Sequence, residues 1–309
     1  MRAIVQDQFG GPEVLQLKDA PPPKPLPTEI VVGARAVGIN PVEAYIRGGQ
    51  FPLLGQPPFI LGWDVAGVVE TVVPGVNRFA VGDEVLGMPL FPRAAGAYAE
   101  LVAAPSRHFV RKPKALSFAE AAALPLVGLT AWQSLVDTAG VKRGDRVLIH
   151  AAAGGVGHVA VQIAKALGAH VIATASAEKR DFVRGLGADE VIDYRTTPFD
   201  KAVRDIDVVL ETVGGDYAER SFATLRPNGL LVTIVDRMSQ TLPVRAKELG
   251  VRFAGVAVEP DAQGLAELIK LVEAGKLKPH VEQTFPLEQA ADAHRFLAGR
   301  PKGKVVLTV

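Results

Sequence analysis

The run Ala151-Ala152-Ala153-Gly154-Gly155-Val156-Gly157 constrains this chain more than any other segment. It follows the apolar Arg146-Val147-Leu148-Ile149-His150 and opens a stretch from Val156 to Leu167 with apolar residues at helical spacing, which stops at Gly168. A strand that turns on glycine into a helix offers free N–H groups with no Cβ in the way, as a dinucleotide pyrophosphate requires. The fingerprint G-x-G-x-x-G would set glycines at 152, 154 and 157. Ala152 departs from it, whereas Gly154 admits the phosphates and Gly157 lets the helix pack closely. A glycine pattern alone is weak. Here a second strand, Val171-Ile172-Ala173-Thr174, follows the first within about thirty residues, and that context is what the motif needs.

The alternation continues. A helix is expected from about Glu178 to Leu186, and strands at Glu190-Val191-Ile192, Asp207–Leu210, Gly229–Ile234 and Val251–Ala254. Six such strands with intervening helices describe an α/β fold, a Rossmann-type doubly wound six-stranded parallel sheet. The first third differs. Short β-branched runs such as Glu29-Ile30-Val31-Val32, Ala66–Val72 and Tyr98–Val102 lie between Pro, Gly and Asp turns, the pattern of an irregular antiparallel barrel or sandwich. Ser117 and Glu120 have capping-box spacing where the texture changes. After Pro260 come an amphipathic helix to about Ala274, a strand near Glu282–Phe285, a helix Leu287–Leu297 and a closing strand Val305-Val306-Leu307. The expected organisation is a β-rich domain over 1–120, a nucleotide-binding domain over 121–258, and a return to the first domain over 259–309.

The end of the second strand distinguishes the cofactors. NAD binders place Asp or Glu there, about 20 residues past the glycines, to bond the ribose 2′-hydroxyl. This chain has Thr174-Ala175-Ser176 instead, followed by Lys179 and Arg180. A hydroxyl and two cations suit a 2′-phosphate, hence NADPH. The competing reading of Lys179 and Arg180 is that of solvated helix charges, which leaves the missing acid unexplained.

Composition excludes other classes. With 34 Lys+Arg against 33 Asp+Glu, a net charge of +1 offers no field for nucleic acid. No Cys rules out disulfides, thiolate-bound zinc, iron–sulfur clusters and a thiol nucleophile, so a cytoplasmic location is the default expectation. The opening apolar run breaks at Gln6 and Asp7, and no segment reaches the ~18 apolar residues of a membrane span. His150 and His158 flank the glycine loop and read as packing or capping groups; the other four His lack metal-ligand spacing.

Several separate segments together resemble the medium-chain dehydrogenase/reductase superfamily, in its zinc-independent, zeta-crystallin-like NADPH:quinone oxidoreductase branch. They are Met1-Arg2-Ala3-Ile4, Gly38–Gly49, Leu61-Gly62-Trp63-Asp64-Val65-Ala66-Gly67, Gly82-Asp83, Gly96–Glu100, Leu129-Thr130-Ala131-Trp132, the glycine loop and Gly303-Lys304-Val305-Val306. The resemblance implies a β-rich GroES-like catalytic domain beside the nucleotide domain, and a homodimer formed through Val251–Val256. It implies NADPH held by Gly154, Gly155, Val156 and Gly157, by Ser176, Lys179, Arg180 and Tyr194, and by Thr130, Val213, Gly214 and Ile234. Glu211 could line that cofactor or serve as a structural hydrogen-bonding group.

Zinc-dependent relatives hold the metal at positions resembling Asn40, Trp63-Asp64 and Val127 here, and use a hydroxyl relay at the position of Val42. An amide, an indole and a valine do not make a zinc site, so the resemblance implies no metal. It implies Asn40 and Tyr45 as catalytic residues, and Phe51, Trp63 and Asp64 around the substrate. Tyr45 could donate to the acceptor's carbonyl oxygen or be a packed wall. The implied reaction is hydride transfer to a small-molecule quinone or α,β-unsaturated carbonyl. The alternatives are an enoyl-thioester reductase, which Phe51 in place of a second Tyr disfavours, and a non-catalytic, crystallin-like NADPH binder.

Overall fold

A computed structural model describes all 309 residues. The chain divides into two compact units. Unit 1 comprises Met1–Leu129, Glu259–Glu273 and Lys278–Val309; unit 2 comprises Thr130–Val258 and Ala274–Leu277.

Unit 2 holds a six-stranded parallel sheet. Across it the strands run Glu190–Asp193, His170–Ala175, Arg146–Ile149, Ile206–Glu211, Leu225–Thr233 and Arg252–Gly255. In chain order this is 3-2-1-4-5-6, the doubly wound order, and it reverses between the first and fourth strands. The central strands are buried on both faces, with Val147, Leu148, Ile149, Val171, Ile172 and Ala173 fully enclosed, as the unbroken apolar runs require. One face packs Leu148, Ile172, Val209 and Leu231 against Phe199, Ala218, Phe222 and Ala246 from the crossovers. The helix expected from Glu178 begins as a 3-10 turn, Ala177–Lys179, and continues as Arg180–Gly185. Lys179, at φ −106° and ψ 0°, is the joint between them.

Unit 1 is β-rich. Its larger sheet runs Val281–Pro286, Lys304–Thr308, Glu29–Ile39, Asp64–Val72, Glu84–Gly87 and Phe109–Arg111, with Leu101–Pro105 also on Glu29–Ile39. The eleven-residue strand Glu29–Ile39 pairs with three partners, two register shifts bending it from one to the next. All pairs are antiparallel except Val281–Pro286 with Lys304–Thr308. The carboxy-terminal strand thus enters the amino-terminal sheet beside Ile39. A small antiparallel sheet joins Arg2–Gln6 to Leu15–Asp19 and Phe59–Ile60.

Ser117 caps the helix Phe118–Ala122, its hydroxyl accepting from Glu120 N. Pro125 does not merely interrupt this segment; it opens the helix Pro125–Trp132, in the first-turn position that proline tolerates. The two units divide within this second helix, at Leu129/Thr130. No helix is long and apolar enough to cross a membrane.

Candidate functional site

In a doubly wound sheet, ligands bind beyond the carboxyl ends of the strands where the order reverses. Two loops leave that point in unit 2: Ala151–Gly154 after the first strand and Thr212–Gly215 after the fourth. Gly154 is the N-cap of the helix Gly155–Ala166 and makes no side-chain cap bond. The leading N–H groups, at Gly155, Val156 and Gly157, therefore lack intrahelical acceptors and face outward together. A Cβ on Gly157 would lie 2.3 Å from Ala151 O and 2.6 Å from Ala152 Cα, so the helix rests directly on the loop. Ala152, which stands where the fingerprint has glycine, is fully buried and donates its N–H to Thr174 O at 3.0 Å. A methyl group fits there. His158 Nδ1 meets Gly154 O and Gly155 O at 3.0 and 2.7 Å, so the ring donates back to carbonyls of the first turn and caps none of its N–H groups.

The second and third strands end side by side, because Ala175 is in register with Asp193. That register sets Ser176 beside Tyr194. Ser176 is buried and Tyr194 is 37% exposed, with Arg195 Cζ 5.8 Å from its ring centroid. Lys179 and Arg180 are half-buried on the adjoining turn, and Arg180 Nε is enclosed without a hydrogen-bond partner. No acid stands at the strand end. Glu178, three residues on, takes bonds from the Ser176 hydroxyl and from Arg195, at 3.1 Å for the latter. An orphaned guanidinium nitrogen, an uncapped helix start and a cradle too tight for a Cβ at Gly157 fit the phosphates of a dinucleotide bearing a 2′-phosphate.

At the fourth strand Glu211 is fully buried. It accepts from Val213 N and Gly214 N at 2.5 and 2.6 Å and from the Thr233 hydroxyl at 2.6 Å. It is therefore a structural hydrogen-bonding group. It shapes a turn that passes through Gly214 at φ +83° and leaves Val213 exposed. Ile234 lies just past the fifth strand, half-buried, and Thr130 is buried within the helix Pro125–Trp132.

Unit 1 gathers its candidates around the helix Pro41–Arg47. Lys304, 2% exposed, spends its three N–H donors on Ile39 O, Asn40 Oδ1 and Asp64 Oδ2, at 2.7, 2.6 and 3.2 Å. Asp64 also accepts from Asn40 Nδ2 at 2.9 Å and from Leu126 N at 2.6 Å. Asn40 N donates to Glu43 Oε2 at 2.7 Å, and so does the Tyr98 hydroxyl at 2.6 Å. Tyr98 in turn meets His294 Nε2 at 2.9 Å, and Arg47 Nη1 meets His294 Nδ1 at 2.8 Å. The helix is thus tied at its N-cap by Asn40 and at its last residue by Arg47.

Burial pushes the Glu43 carboxyl up to about 7, against the hydrogen bonds of Tyr98 and Asn40 and the charge of Lys304. Burial likewise raises the Tyr98 phenol, and burial with the Arg47 charge holds His294 down at about 3.

This network corrects part of the sequence reading. Trp63 and Asp64, expected around the substrate, are both 0% exposed. The Trp63 Nε1–H is used on Arg93 O at 2.7 Å, and both oxygens of Asp64 are used as described, so neither offers a polar group to a ligand. The Asn40 amide is consumed by Lys304 and Asp64. Tyr45, in contrast, is 57% exposed on the same helix, and half-buried Phe51 follows on the turn whose N–H bonds Tyr45 O at 3.3 Å. The sequence reading assigned no role to Glu43, Tyr98, His294 or Lys304. One local clue was a lysine opening a strand whose next three residues are all buried.

Comparison with known proteins adds independent findings. Residues 26–114 match the family model of the alcohol dehydrogenase GroES-like domain, and residues 186–307 that of zinc-binding dehydrogenases. A 2-haloacrylate reductase from a Burkholderia species is 37% identical, over 99% of this chain and 98% of its own length. The quinone oxidoreductase structure from Coxiella burnetii superposes with a TM-score of 0.95 at 38% identity, covering 100% of this chain and 99% of that one. The Escherichia coli quinone oxidoreductase complexed with NADPH gives 0.91 at 32% identity, with both chains fully covered.

The second family model's description raises the question of zinc. The residues do not fit it. At the positions that resemble a zinc site, Asn40 and Asp64 bind the Lys304 ammonium, and the buried Trp63 and Val127 are not metal ligands. No group of three or more His, Asp or Glu side chains stands together as a ligand set.

Proposed function

The chain belongs to the quinone oxidoreductase branch of the medium-chain dehydrogenase/reductase superfamily, and from that premise we propose a zinc-independent, NADPH-dependent reductase of quinones or α,β-unsaturated carbonyls. The observation that carries it is the pairing of an uncapped glycine-loop helix with the enclosed, unpartnered Arg180 Nε at a strand end that bears no acid. The N–H groups of Gly155–Gly157 hold the pyrophosphate. Ser176, Lys179, Arg180 and Tyr194 hold the 2′-phosphate, and Thr130, Val213, Gly214 and Ile234 flank the rest of the cofactor.

When bound, NADPH supplies a hydride. The Tyr45 hydroxyl donates a hydrogen bond to the acceptor's carbonyl oxygen as negative charge develops there, with Phe51 beside it as an apolar wall. Asn40 acts indirectly, fixing the N-terminus of the helix that carries Tyr45. The relative named for 2-haloacrylate, a conjugated acid, supports an electron-poor alkene among the acceptors. The terminal place of Arg252–Gly255 in the sheet, with one edge not paired to another strand, supports a homodimer.

The test is NADPH oxidation across a panel of quinones, enones and enoyl thioesters with a metal chelator present. Turnover of quinones or enones unaffected by chelator is expected, with kcat about tenfold lower in Tyr45→Phe. Loss of turnover to chelator overturns the zinc-free reading. Preference for thioesters favours an enoyl-thioester reductase, and NADPH binding without turnover a non-catalytic binder.

A further inference from the structure

We propose that His150, through one fixed ring tautomer, is a positioning residue for the glycine loop; this rests on the reading of that loop as the pyrophosphate site. Ala151, the loop's first residue, sits at φ +47°. A residue with a Cβ resists that left-handed conformation, so the fold must hold it there.

What holds it is a chain of hydrogen bonds whose direction can be read outright. Ala151 N donates to Thr174 Oγ1 at 3.2 Å, and Thr174 Oγ1 lies 3.1 Å from His150 Nδ1. On the far side of the ring, His150 Nε2 lies 2.9 Å from Ser221 Oγ, and Ser221 spends its own hydrogen on Tyr217 O at 2.6 Å. Ser221 Oγ must therefore accept from His150, which puts the ring proton on Nε2 and leaves Nδ1 an acceptor. The Thr174 hydrogen then points at Nδ1, and its lone pair is left for Ala151 N–H. The other neutral tautomer would set a bare Nε2 against a lone pair of Ser221 Oγ, whose hydrogen is already on Tyr217 O, and would turn the Thr174 hydrogen away from the ring.

The surroundings keep the ring neutral. It is fully buried, edge-on to Phe199 and Tyr217 at 4.5 and 5.1 Å, and no carboxylate contacts it. The charged group facing it is Arg220, over the Phe199 ring at 4.5 Å and paired with Asp200 at 2.6 Å. Burial and that cation depress the imidazole to about 3. The His150 backbone serves the second loop at the same point, its carbonyl accepting from Thr212 Oγ1 at 2.9 Å. One residue therefore sets both loops, the ring governing the first and the carbonyl the second.

The experiment compares wild type with His150→Leu, His150→Asn and Thr174→Val by NADPH fluorescence titration and steady-state kinetics. Asn keeps an acceptor near the place of Nδ1. Thr174→Val removes only the hydroxyl and stands in if His150→Leu does not fold. Expected are about tenfold increases in the Kd and KM for NADPH in His150→Leu and Thr174→Val, with kcat within about twofold at saturation and partial recovery in His150→Asn. Long-range 1H–15N spectra of the ligand-free protein should show an Nε2-protonated ring that does not titrate between pH 5 and 8. A ring protonated on Nδ1, a ring titrating in that window, or folded variants that bind NADPH like wild type would overturn the proposal. Failure of the wild type itself to bind NADPH would overturn the loop reading beneath it.

Discussion

Replacing Glu43 by Gln tests the electrostatics of unit 1 with little change of shape, since the amide oxygen can take the place of Oε2 and still accept from Asn40 N and the Tyr98 hydroxyl. Glu43 titrates near 7 in the fold against an ordinary 4.5, because burial outweighs its donors. The folded state therefore keeps a proton that the unfolded chain releases. The resulting stability is complete below about 4.5 and lost as pH rises through about 7. At about 1.4 kcal/mol per pK unit, the wild type should lose about 2–3 kcal/mol relative to Glu43→Gln between pH 5 and pH 8.5. His150 and His294, held near 3 instead of 6.5, act with the opposite sign, their contribution being lost as pH falls through the unfolded value toward 3. They are present in both proteins and cancel in the difference. Urea denaturation at a series of pH values, followed by Trp63 fluorescence in a Trp132→Phe background, measures it within unit 1, where Trp63 is fully buried. A difference constant to within about 0.5 kcal/mol, or one in which the wild type gains with pH, would show that the donors and Lys304 outweigh burial and would refute the reasoning.

Lys304→Met should cost about 3–5 kcal/mol in urea unfolding, because it strands the Asp64 carboxylate in the interior; Lys304→Met with Asp64→Leu should recover much of that loss. Gly157→Ala, whose Cβ would meet Ala151 O at 2.3 Å, should raise the NADPH dissociation constant at least about tenfold in a fluorescence titration. Lys179→Ala with Arg180→Ala should weaken NADPH by about 10–100-fold and NADH by less than about threefold, and equal losses would refute the 2′-phosphate assignment.

The nucleotide unit was legible because its signals are local. Apolar runs, helical spacing and Gly168 are features of neighbouring residues, and the six expected strands all form within a few residues of their expected limits. Strand ends drifted where a neighbour sets them: Leu225–Thr233 starts early because it pairs along Ile206–Glu211 through a register shift. The helix Pro41–Arg47 escaped the reading although Asn40-Pro41-Val42-Glu43 carries a start signal, a cap followed by proline and then Glu. The buried network of unit 1 was illegible for a deeper reason. Asp64 lies 240 residues from Lys304, Tyr98 lies 196 from His294, and no periodicity links such pairs. Read singly, Trp63, Asp64 and Asn40 resemble groups around a ligand, and only their distant partners reveal them as interior scaffold.

The Lys304–Asp64 pair also joins early and late parts of the chain. Residues 130–258 of the nucleotide unit are contiguous and carry its whole sheet, so that unit can begin to fold while the chain is still growing. Asp64 and Asn40 are translated early, yet Lys304, the counter-ion of the first and a donor to the second, comes 240 and 264 residues later. At about 5–20 residues per second, the amino-terminal sheet waits roughly 10–50 seconds with an uncompensated carboxylate at its centre and the edge beside Ile39 open. Arrival of the strand Lys304–Thr308 closes that edge and neutralises that charge in one event. The sheet of unit 2 thus needs nothing beyond residue 258, whereas the sheet of unit 1 closes only with the strand Lys304–Thr308.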